Sequence, residues 1–203
     1  MPAMTNTSAS LLDRLRHDPQ SPEWERLVRI YTPFVRGWLR RQSAPESDAE
    51  DLVQEVMAVV VRRLPEFEHN RRTGAFRTWL RSITVNSLHD FWRRKKKAPN
   101  AIGGSDFAAA LGELADPRSN LSQAWDREHD LHVTRQLLEQ LRPEFEAATW
   151  KAFQRFAIDG VSAAEVAQEL GISSNAVFIA KSRVLSRLRQ EAAGLIEDDE
   201  GKS

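Results

Sequence analysis

The chain has 203 residues, of which 41% are hydrophobic and 29% are charged, and its 29 basic residues balance its 29 acidic residues. This length allows one good hydrophobic core or two small ones. The absence of cysteine excludes disulfides and thiolate metal sites. No signal peptide and no run of about 20 apolar residues is evident, so we expect a cytoplasmic protein without membrane insertion.

Charge is distributed unevenly along the sequence. Residues 71–97 contain nine lysines or arginines and one acid, Asp90, whereas residues 98–130 contain six acids and two arginines. A Debye length of about 8 Å at physiological salt keeps such segments electrically distinct. The basic segment favours contact with a polyanion such as DNA or RNA. A solvated helix with a basic C-terminus is the alternative.

The N-terminal half shows a series of helical patterns. Residues 1–20 are expected to be frayed or disordered, and Ser21-Pro22 then resembles the cap and first turn of a helix. Pro33 is expected to kink or divide that helix. A second, amphipathic helix is predicted over residues 49–64. The face opposite its apolar stripe carries Asp51, Gln54, Glu55 and Arg62.

A third helix is predicted from Gly74 to Lys97. Its apolar stripe contains Phe76, Leu80, Ile83 and Phe91, with Trp79 alongside. Another face carries Ser82, Asn86 and Arg93 and leads into the basic run at residues 93–97. A packed helix with such a polar face is suited to lie against a nucleic acid. Residues 21–97 are therefore predicted to form one helical domain.

The C-terminal half begins with a change in composition. Residues 98–125 are rich in helix breakers and acids, which predicts a flexible linker. Helical patterns resume over residues 126–192, and residues 193–203 form an acidic tail. No strand pattern is evident. The predicted fold is therefore all-α, with two small helical domains joined by a flexible acidic linker.

Residues 160–189 carry a helix-turn-helix pattern. Ser162 and Glu165 have the spacing of a capping box, and Gly171 supplies a left-handed turn before a second, basic helix. In such motifs, side chains near the start of the second helix reach base edges while flanking Lys, Arg and Ser hold phosphates. The pattern predicts DNA binding, although an ordinary helical hairpin uses the same turn residues.

Patterns for catalysis or cofactor binding are weak. Gly103-Gly104 lacks the strand and lysine context of a phosphate-binding loop. His129 and His132 lie three residues apart beside acids, but no third, distant metal ligand is evident. The acids around Asp48 and Asp51 are explained by the preference of helix N-termini for negative charge. We therefore predict no enzyme activity, no catalytic residue, no metal and no cofactor.

Two motifs and their order resemble those of a known family. Residues 48–56, DAEDLVQEV, and residues 76–86, FRTWLRSITVN, are followed by the basic run and the helix-turn-helix pattern. Over about residues 23–97 and 126–192 they resemble the extracytoplasmic-function (ECF) group of the bacterial sigma-70 family. The resemblance implies sigma region 2 and sigma region 4 domains at 21–97 and 126–192. It also implies binding of core RNA polymerase and promoter recognition at the −10 and −35 elements during transcription initiation.

The resemblance further implies roles for individual residues. The surface for the polymerase β′ clamp helices would contain Asp51, Gln54, Glu55 and Arg62. The −10 residues would be Arg77, Trp79, Arg81, Asn86, Asp90, Arg93 and Arg94, with Asn86 helping to capture a flipped base. The −35 residues would be Ser174, Asn175, Ile179, Lys181, Ser182, Arg183 and Arg187. Other implied partners are promoter DNA, the β flap of the polymerase and, where one exists, an anti-sigma factor.

Two other functions remain open. A stand-alone helix-turn-helix regulator would bind its site without polymerase, and an adaptor with a sigma-like fold would bind polymerase without recognising a promoter. Phe76, Trp79 and Asn86 favour promoter melting, because a reader of duplex DNA has little need of an aromatic strand-capture helix. Phe178 and Ile179 depart from the polar residues frequent in such recognition helices, so the base preference is left open.

Overall fold

The computed structural model describes residues 10–18, 20–41, 46–67, 74–96, 109 and 112–196. Within these ranges the chain is all-α as predicted, and no strand is present. The helices are α1 (Leu11–His17), α2 (Glu23–Arg41), α3 (Glu46–Arg63), α4 (Ala75–Lys96), α5 (Asn120–Leu141), α6 (Ala147–Phe153), α7 (Ala163–Leu170) and α8 (Ser174–Ala192). None of the helices in the described ranges is both long enough and apolar enough to cross a membrane.

Helices α1 to α4 form a bundle around one apolar core. The buried side of α3 includes Leu52, Val53, Val56, Met57 and Val60, as its periodicity predicts, and Leu64 is buried in the 3-10 turn that follows. Helix α4 contributes Phe76, Leu80 and Ile83 from the predicted stripe. Gly74 precedes α4 with a φ of 73°, and its carbonyl oxygen accepts a 2.9 Å hydrogen bond from the amide of Thr78. Glycine suits this left-handed position, so the start of α4 is encoded locally.

Helix α2 is not divided at Pro33, one of the two outcomes expected for that residue. Ile30 and Tyr31 before the proline are buried in the same core as Phe34 and Val35 after it. The proline removes one backbone hydrogen bond from the helix. Because the turns on both sides are anchored in one core, their packing offsets that loss.

Helix α1 differs from the frayed start expected for this segment. The Oγ atom of Ser10 accepts a 3.2 Å hydrogen bond from the amide of Asp13 and so caps the helix. Leu11, Leu12 and Leu15 are buried in the bundle core. Local propensity alone does not reveal this packing, since a helix of two turns is unstable without tertiary contacts.

Helix α5 begins at Asn120, inside the stretch 98–125 predicted as a linker. Ser119 caps it by accepting a 3.0 Å hydrogen bond from the amide of Ser122. The Ser122 hydroxyl donates a 2.9 Å hydrogen bond to the carbonyl oxygen of Leu114. Residues 98–108, 110 and 111 of the predicted linker and the end of the acidic tail lie outside the described residues, and the division into two domains stays a prediction.

The apolar side of α5 packs into the bundle. Trp125, Val133 and Leu137 are fully buried in the same core as α2 to α4. The ring of Trp125 contacts Phe34 and Trp38, with centroid distances of 4.8 Å and 4.9 Å. The first helix of the predicted second domain therefore helps to complete the core of the first.

Helices α6 to α8 form the predicted helix-turn-helix around a smaller core. That core contains Ala152, Val166, Ala167, Val177 and Ala180. Ser162 and Glu165 make both hydrogen bonds of the predicted capping box. Gly171 ends α7 with a φ of 66°, and Ser173 caps α8. Helix α6 begins at Ala147, and its end continues as a π turn over Gln154–Ile158.

Candidate nucleic-acid and protein interfaces

The outer face of α3 presents the residues predicted to bind the polymerase. Asp51, Gln54 and Arg62 are exposed, and Glu55 is partly exposed, on the side opposite the buried stripe. Both carboxylate oxygens of Glu55 lie 2.7 Å from Nη2 of Arg94. Such surface ion pairs contribute at most about 1 kcal/mol. Glu55 and Arg94 can therefore separate and bind other partners at little cost in free energy.

The polar stripe of α4 is continuous and exposed. Thr78, Ser82, Asn86 and Asp90 are exposed and follow one another at intervals of four residues, so they lie on one side of the helix. Arg93 extends the stripe, with an Nη2–Oδ1 distance of 2.9 Å to Asp90. The stripe offers short donors and acceptors along its length and positive charge at its end. This arrangement fits a nucleic-acid strand better than an apolar protein surface.

The ring of Trp79 packs at the edge of the bundle and does not project freely into solvent. It is partly buried, with ring centroids 5.0 Å from Phe67 and 5.4 Å from Phe76. Phe76 is fully buried. Phe76 and Trp79, whose presence in the sequence favoured capture of a DNA strand, therefore hold α4 in the bundle in this conformation.

Arg77 and Arg81, both predicted −10 residues, face α5. Arg81 is 4% exposed, and its Nη1 atom lies 2.7 Å from Oδ1 of Asp126. Nη1 of Arg77 lies 2.6 Å from Oδ2 of Asp130. The sequence signal for these pairs was the acidic stretch 98–130, of which residues 98–125 were interpreted as a linker and Asp126 and Asp130 as the start of the second domain. In this conformation both guanidinium groups are neutralised within the chain.

His129 anchors α5 from inside the core. Its Nδ1 atom lies 2.9 Å from Oδ1 of Asp130, and its Nε2 atom lies 3.2 Å from the Tyr31 hydroxyl. Burial lowers the pKa of His129, and the hydrogen bond to Asp130 opposes this shift in part. Nε2 of His132, the other histidine of the predicted pair, lies 2.7 Å from the carbonyl oxygen of Ile30. These histidines therefore join α5 to α2.

The outer face of α8 carries most of the predicted −35 residues. The exposed residues on this helix include Ser174, Asn175, Phe178, Ile179, Ser182 and Arg183. Lys181 is partly buried, and its Nζ atom lies 5.2 Å from the centroid of the Phe156 ring. The exposed set combines amide, hydroxyl, guanidinium and apolar groups on the second helix of a helix-turn-helix. This is the surface that enters a DNA groove in such motifs.

Arg187 differs from the other predicted −35 residues. Its Nε and Nη2 atoms lie 2.7 Å and 3.1 Å from the carboxylate oxygens of Glu144, and its Nη1 atom lies 2.5 Å from Oε1 of Glu191. Its side chain is held in a network within the protein and is 25% exposed. In this arrangement Arg187 joins α8 to the turn that precedes α6.

Glu191 is the centre of that network, and sequence reasoning did not identify it. Its side chain is fully buried, and Oε2 lies 2.8 Å from Nη2 of Arg14 and 3.6 Å from Nη1 of Arg26. Burial acts to raise the pKa of Glu191, but hydrogen bonds from Arg14 and Arg187 outweigh it and lower the pKa. The spacing of Arg187 and Glu191, four residues apart on a helix, was the available signal.

Comparison with known proteins identifies the first bundle. Residues 27–98 match the family described as Sigma-70 region 2. The bundle with the exposed α3 face and α4 stripe is therefore a sigma-70 region 2 domain.

Full-length relatives agree with this class. The ECF RNA polymerase sigma factor SigE of Mycolicibacterium smegmatis is 30% identical over 195 residues, which cover 95% of this chain and 70% of that protein. The RNA polymerase sigma factor CarQ of Myxococcus xanthus is 27% identical over 88% of this chain and 94% of its own. The RNA polymerase sigma-E factor of Streptomyces coelicolor is 26% identical over 83% of this chain and 85% of its own.

The chain belongs to the ECF group of the sigma-70 family of RNA polymerase sigma factors. Its function is therefore that of a regulatory protein in transcription initiation, with RNA polymerase and promoter DNA as the partners of its family. The predicted family and function are confirmed at this level.

Proposed function

We propose that the outer face of α3 docks on the β′ clamp helices of core RNA polymerase. Asp51 and Gln54 are exposed on this face, and Glu55 is held only by a surface ion pair. An acidic and amide surface suits a basic helical partner, because opposite charges steer association and fix its register. An anti-sigma factor that covered this face would prevent the same contact.

We further propose that the α4 stripe captures the opened −10 strand, and the continuous exposure of this stripe is the observation that carries the proposal. Asn86 lies near its middle and offers both a donor and an acceptor to a flipped base. Extruding a base costs a few kcal/mol of lost stacking, so a specific polar reader is needed to offset it. Arg93 and Arg94 are exposed where the stripe ends and would hold phosphates.

The helix-turn-helix would bind the −35 element in the major groove through α8. Arg183 and Ser182 are exposed on its outer face, and such residues contact phosphates or base edges in related motifs. Family membership supports an additional contact between this domain and the β flap of the polymerase. A stand-alone regulator would need no polymerase contact, and the region 2 bundle favours the sigma-factor role over that alternative.

Simultaneous contact with both promoter elements requires the helix-turn-helix to separate from the region 2 bundle, and we propose that α5 leaves α4 in this step. Elements centred at −10 and −35 are roughly 85 Å apart on straight DNA at about 3.4 Å per base pair. A compact chain of this length has a radius of gyration of about 17 Å and a diameter of about 45 Å. The −10 role of Arg77 and Arg81 depends on this separation, because Asp126 and Asp130 neutralise them in the docked arrangement.

Replacing Asp51 by arginine is expected to weaken association with core polymerase at least tenfold, because it places a like charge against a basic partner. Association is measured by fluorescence anisotropy with labelled chain and purified core enzyme. Glu139→Arg makes the same change at an exposed position on α5 and should leave affinity unchanged. Equal affinities for the two variants would remove α3 from the proposed interface.

Asn86→Ala is expected to reduce promoter opening about tenfold or more while leaving polymerase association intact, because its amide is proposed to stabilise only the flipped state. Opening is measured by permanganate reactivity of unpaired −10 thymines in the assembled holoenzyme complex. Gln123→Ala removes an exposed amide from α5 and serves as the control. Parallel loss of opening and of polymerase binding would contradict a role in base capture.

A further inference from the structure

The recognition helix carries two large apolar side chains on its outer face. Phe178 is 51% exposed and Ile179 is 43% exposed, whereas the preceding Val177 is buried in the helix-turn-helix core. With Asn175 and Ser182, which are also exposed, they occupy one side of α8 at helical spacing. Two neighbouring apolar groups on an otherwise polar face indicate a contact surface.

Phe178 is oriented by its neighbours before any ligand binds. Its ring meets the ring of Phe156 edge-on, with centroids 5.2 Å apart and planes at 89°. Nζ of Lys181 lies 5.2 Å from the centroid of the same Phe156 ring. Contacts of this type fix aromatic orientation. The exposed phenyl therefore loses little conformational freedom when it contacts a partner.

Ile179 stands beside a groove that polar and apolar groups line together. The groove has a volume of about 540 Å³ and runs between α8 and the turn before α6, with Phe145 on its far side. On α8, the neighbours of Ile179 along the groove include Ser182, Arg183 and Ser186. Small hydroxyls and a guanidinium group around one branched apolar side chain suit a nucleic-acid groove, where phosphates and base edges surround isolated methyl groups.

We propose that Phe178 and Ile179 read thymine methyl groups in the −35 element. The proposal rests on the binding of α8 in the major groove, given above. The C5 methyl of thymine is the apolar group that distinguishes base pairs there, whereas the other distinguishing groups are hydrogen-bond donors and acceptors. Neither Phe178 nor Ile179 can form a side-chain hydrogen bond, so they discriminate by burying that methyl. Sequence preference at these positions therefore follows thymine on either strand.

The test uses DNA that differs by the methyl group alone. Holoenzyme assembled from this chain and core polymerase selects promoters from a library randomised over the −35 element, and thymine should be enriched at one or more positions. Each enriched thymine is then replaced by deoxyuracil, which keeps every hydrogen-bonding group. Affinity should fall about fourfold for each methyl removed, the equivalent of about 0.8 kcal/mol per buried CH₂.

Two variants assign the effect to the side chains. Ile179→Ser and Phe178→Ser should each weaken the thymine preference and reduce the penalty for deoxyuracil, as a double-mutant cycle detects. Leu131→Ser removes another exposed apolar side chain, 69% exposed on α5, and should retain both the preference and the penalty. Because all three positions are exposed, the substitutions leave the cores intact.

The outcomes separate this inference from the function on which it rests. If the holoenzyme enriches no −35 sequence, the proposed role of α8 fails and this inference fails with it. If a sequence is enriched but DNA with deoxyuracil binds as well as DNA with thymine, the proposed recognition of methyl groups is overturned while the proposed role of α8 stands. Weaker core-polymerase binding by Ile179→Ser, with base preference unchanged in the holoenzyme that still forms, would also overturn it by making this pair a protein-docking surface.

Discussion

Replacing Trp125 by alanine is expected to lower the free energy of unfolding by about 3–5 kcal/mol, the usual cost of truncating a fully buried tryptophan. The indole is enclosed by Phe34 and Trp38, and its Nε1 atom is buried without a hydrogen-bond partner among the described residues. The loss is therefore one of packing between α5 and the region 2 bundle. Urea unfolding followed by circular dichroism measures it.

The matched control for Trp125 is Trp150→Ala in the helix-turn-helix. Trp150 is partly buried and contacts Phe145 and Phe153, so its truncation creates a smaller cavity and should cost less. A loss below about 1 kcal/mol for Trp125→Ala would mean that α5 is not packed on the bundle in solution. The docked arrangement of α5 would then be wrong.

Glu191→Ala is expected to destabilise the chain by about 1–3 kcal/mol, because it removes the buried carboxylate that Arg14 and Arg187 share and leaves them only their more exposed partners Glu23 and Glu144. Oε2 and Oε1 of Glu191 lie 2.8 Å from Arg14 and 2.5 Å from Arg187, respectively, so one residue links α1 and α8. Glu144→Ala removes a more exposed partner of the same Arg187 and should cost about 1 kcal/mol or less. Equal losses in the two variants would contradict a central role for Glu191.

The effect of Glu191 should depend on pH in a defined direction. Its pKa in the folded chain is lowered from the usual 4.5, because the hydrogen bonds from Arg14 and Arg187 outweigh burial. A carboxylate with a lowered pKa stabilises the folded state above its ordinary pKa, and this stabilisation is lost as the pH falls through the folded-state pKa. The difference in free energy of unfolding between wild type and Glu191→Ala should therefore be largest at pH 7 and decrease below about pH 4.5.

Helical periodicity and turn chemistry predicted the exposed and buried faces of single helices better than the contacts between helices. The buried stripe of α3 and the exposed face with Asp51 followed from helical periodicity. The capping box at Ser162 and the left-handed Gly171 followed from turn chemistry. Each of these features depends on residues close together in sequence, so the sequence contains enough information to place them.

Features that depend on distant residues were missed. Periodicity indicates which side of α5 is apolar, but it does not indicate that Trp125 packs between Phe34 and Trp38. The acids Asp126 and Asp130 were visible as part of a negative segment, yet their pairing with Arg77 and Arg81 requires α5 to lie on α4. Composition predicted a linker up to residue 125, because Pro117 and its neighbours are helix breakers, but it indicated no partner for the acids that follow.

The packing of α5 on α4 explains the uneven distribution of charge along the sequence. The zero net charge hides a basic α4 and an acidic α5, and Arg77 and Arg81 of α4 pair with Asp130 and Asp126 of α5. Phosphates of the −10 strand offer the same arginines an alternative partner. If the proposed −10 contact forms, binding of promoter DNA and release of α5 are linked, since both require these arginines.

We propose that this chain gives core RNA polymerase a choice of promoter through separate −10 and −35 contacts. The direct measurement is run-off transcription by purified core enzyme from a library of random promoter DNA, with and without the chain, followed by sequencing of the templates used. We expect the chain to concentrate initiation on templates that share two short elements at fixed spacing. Identical template use with and without the chain would contradict the claim.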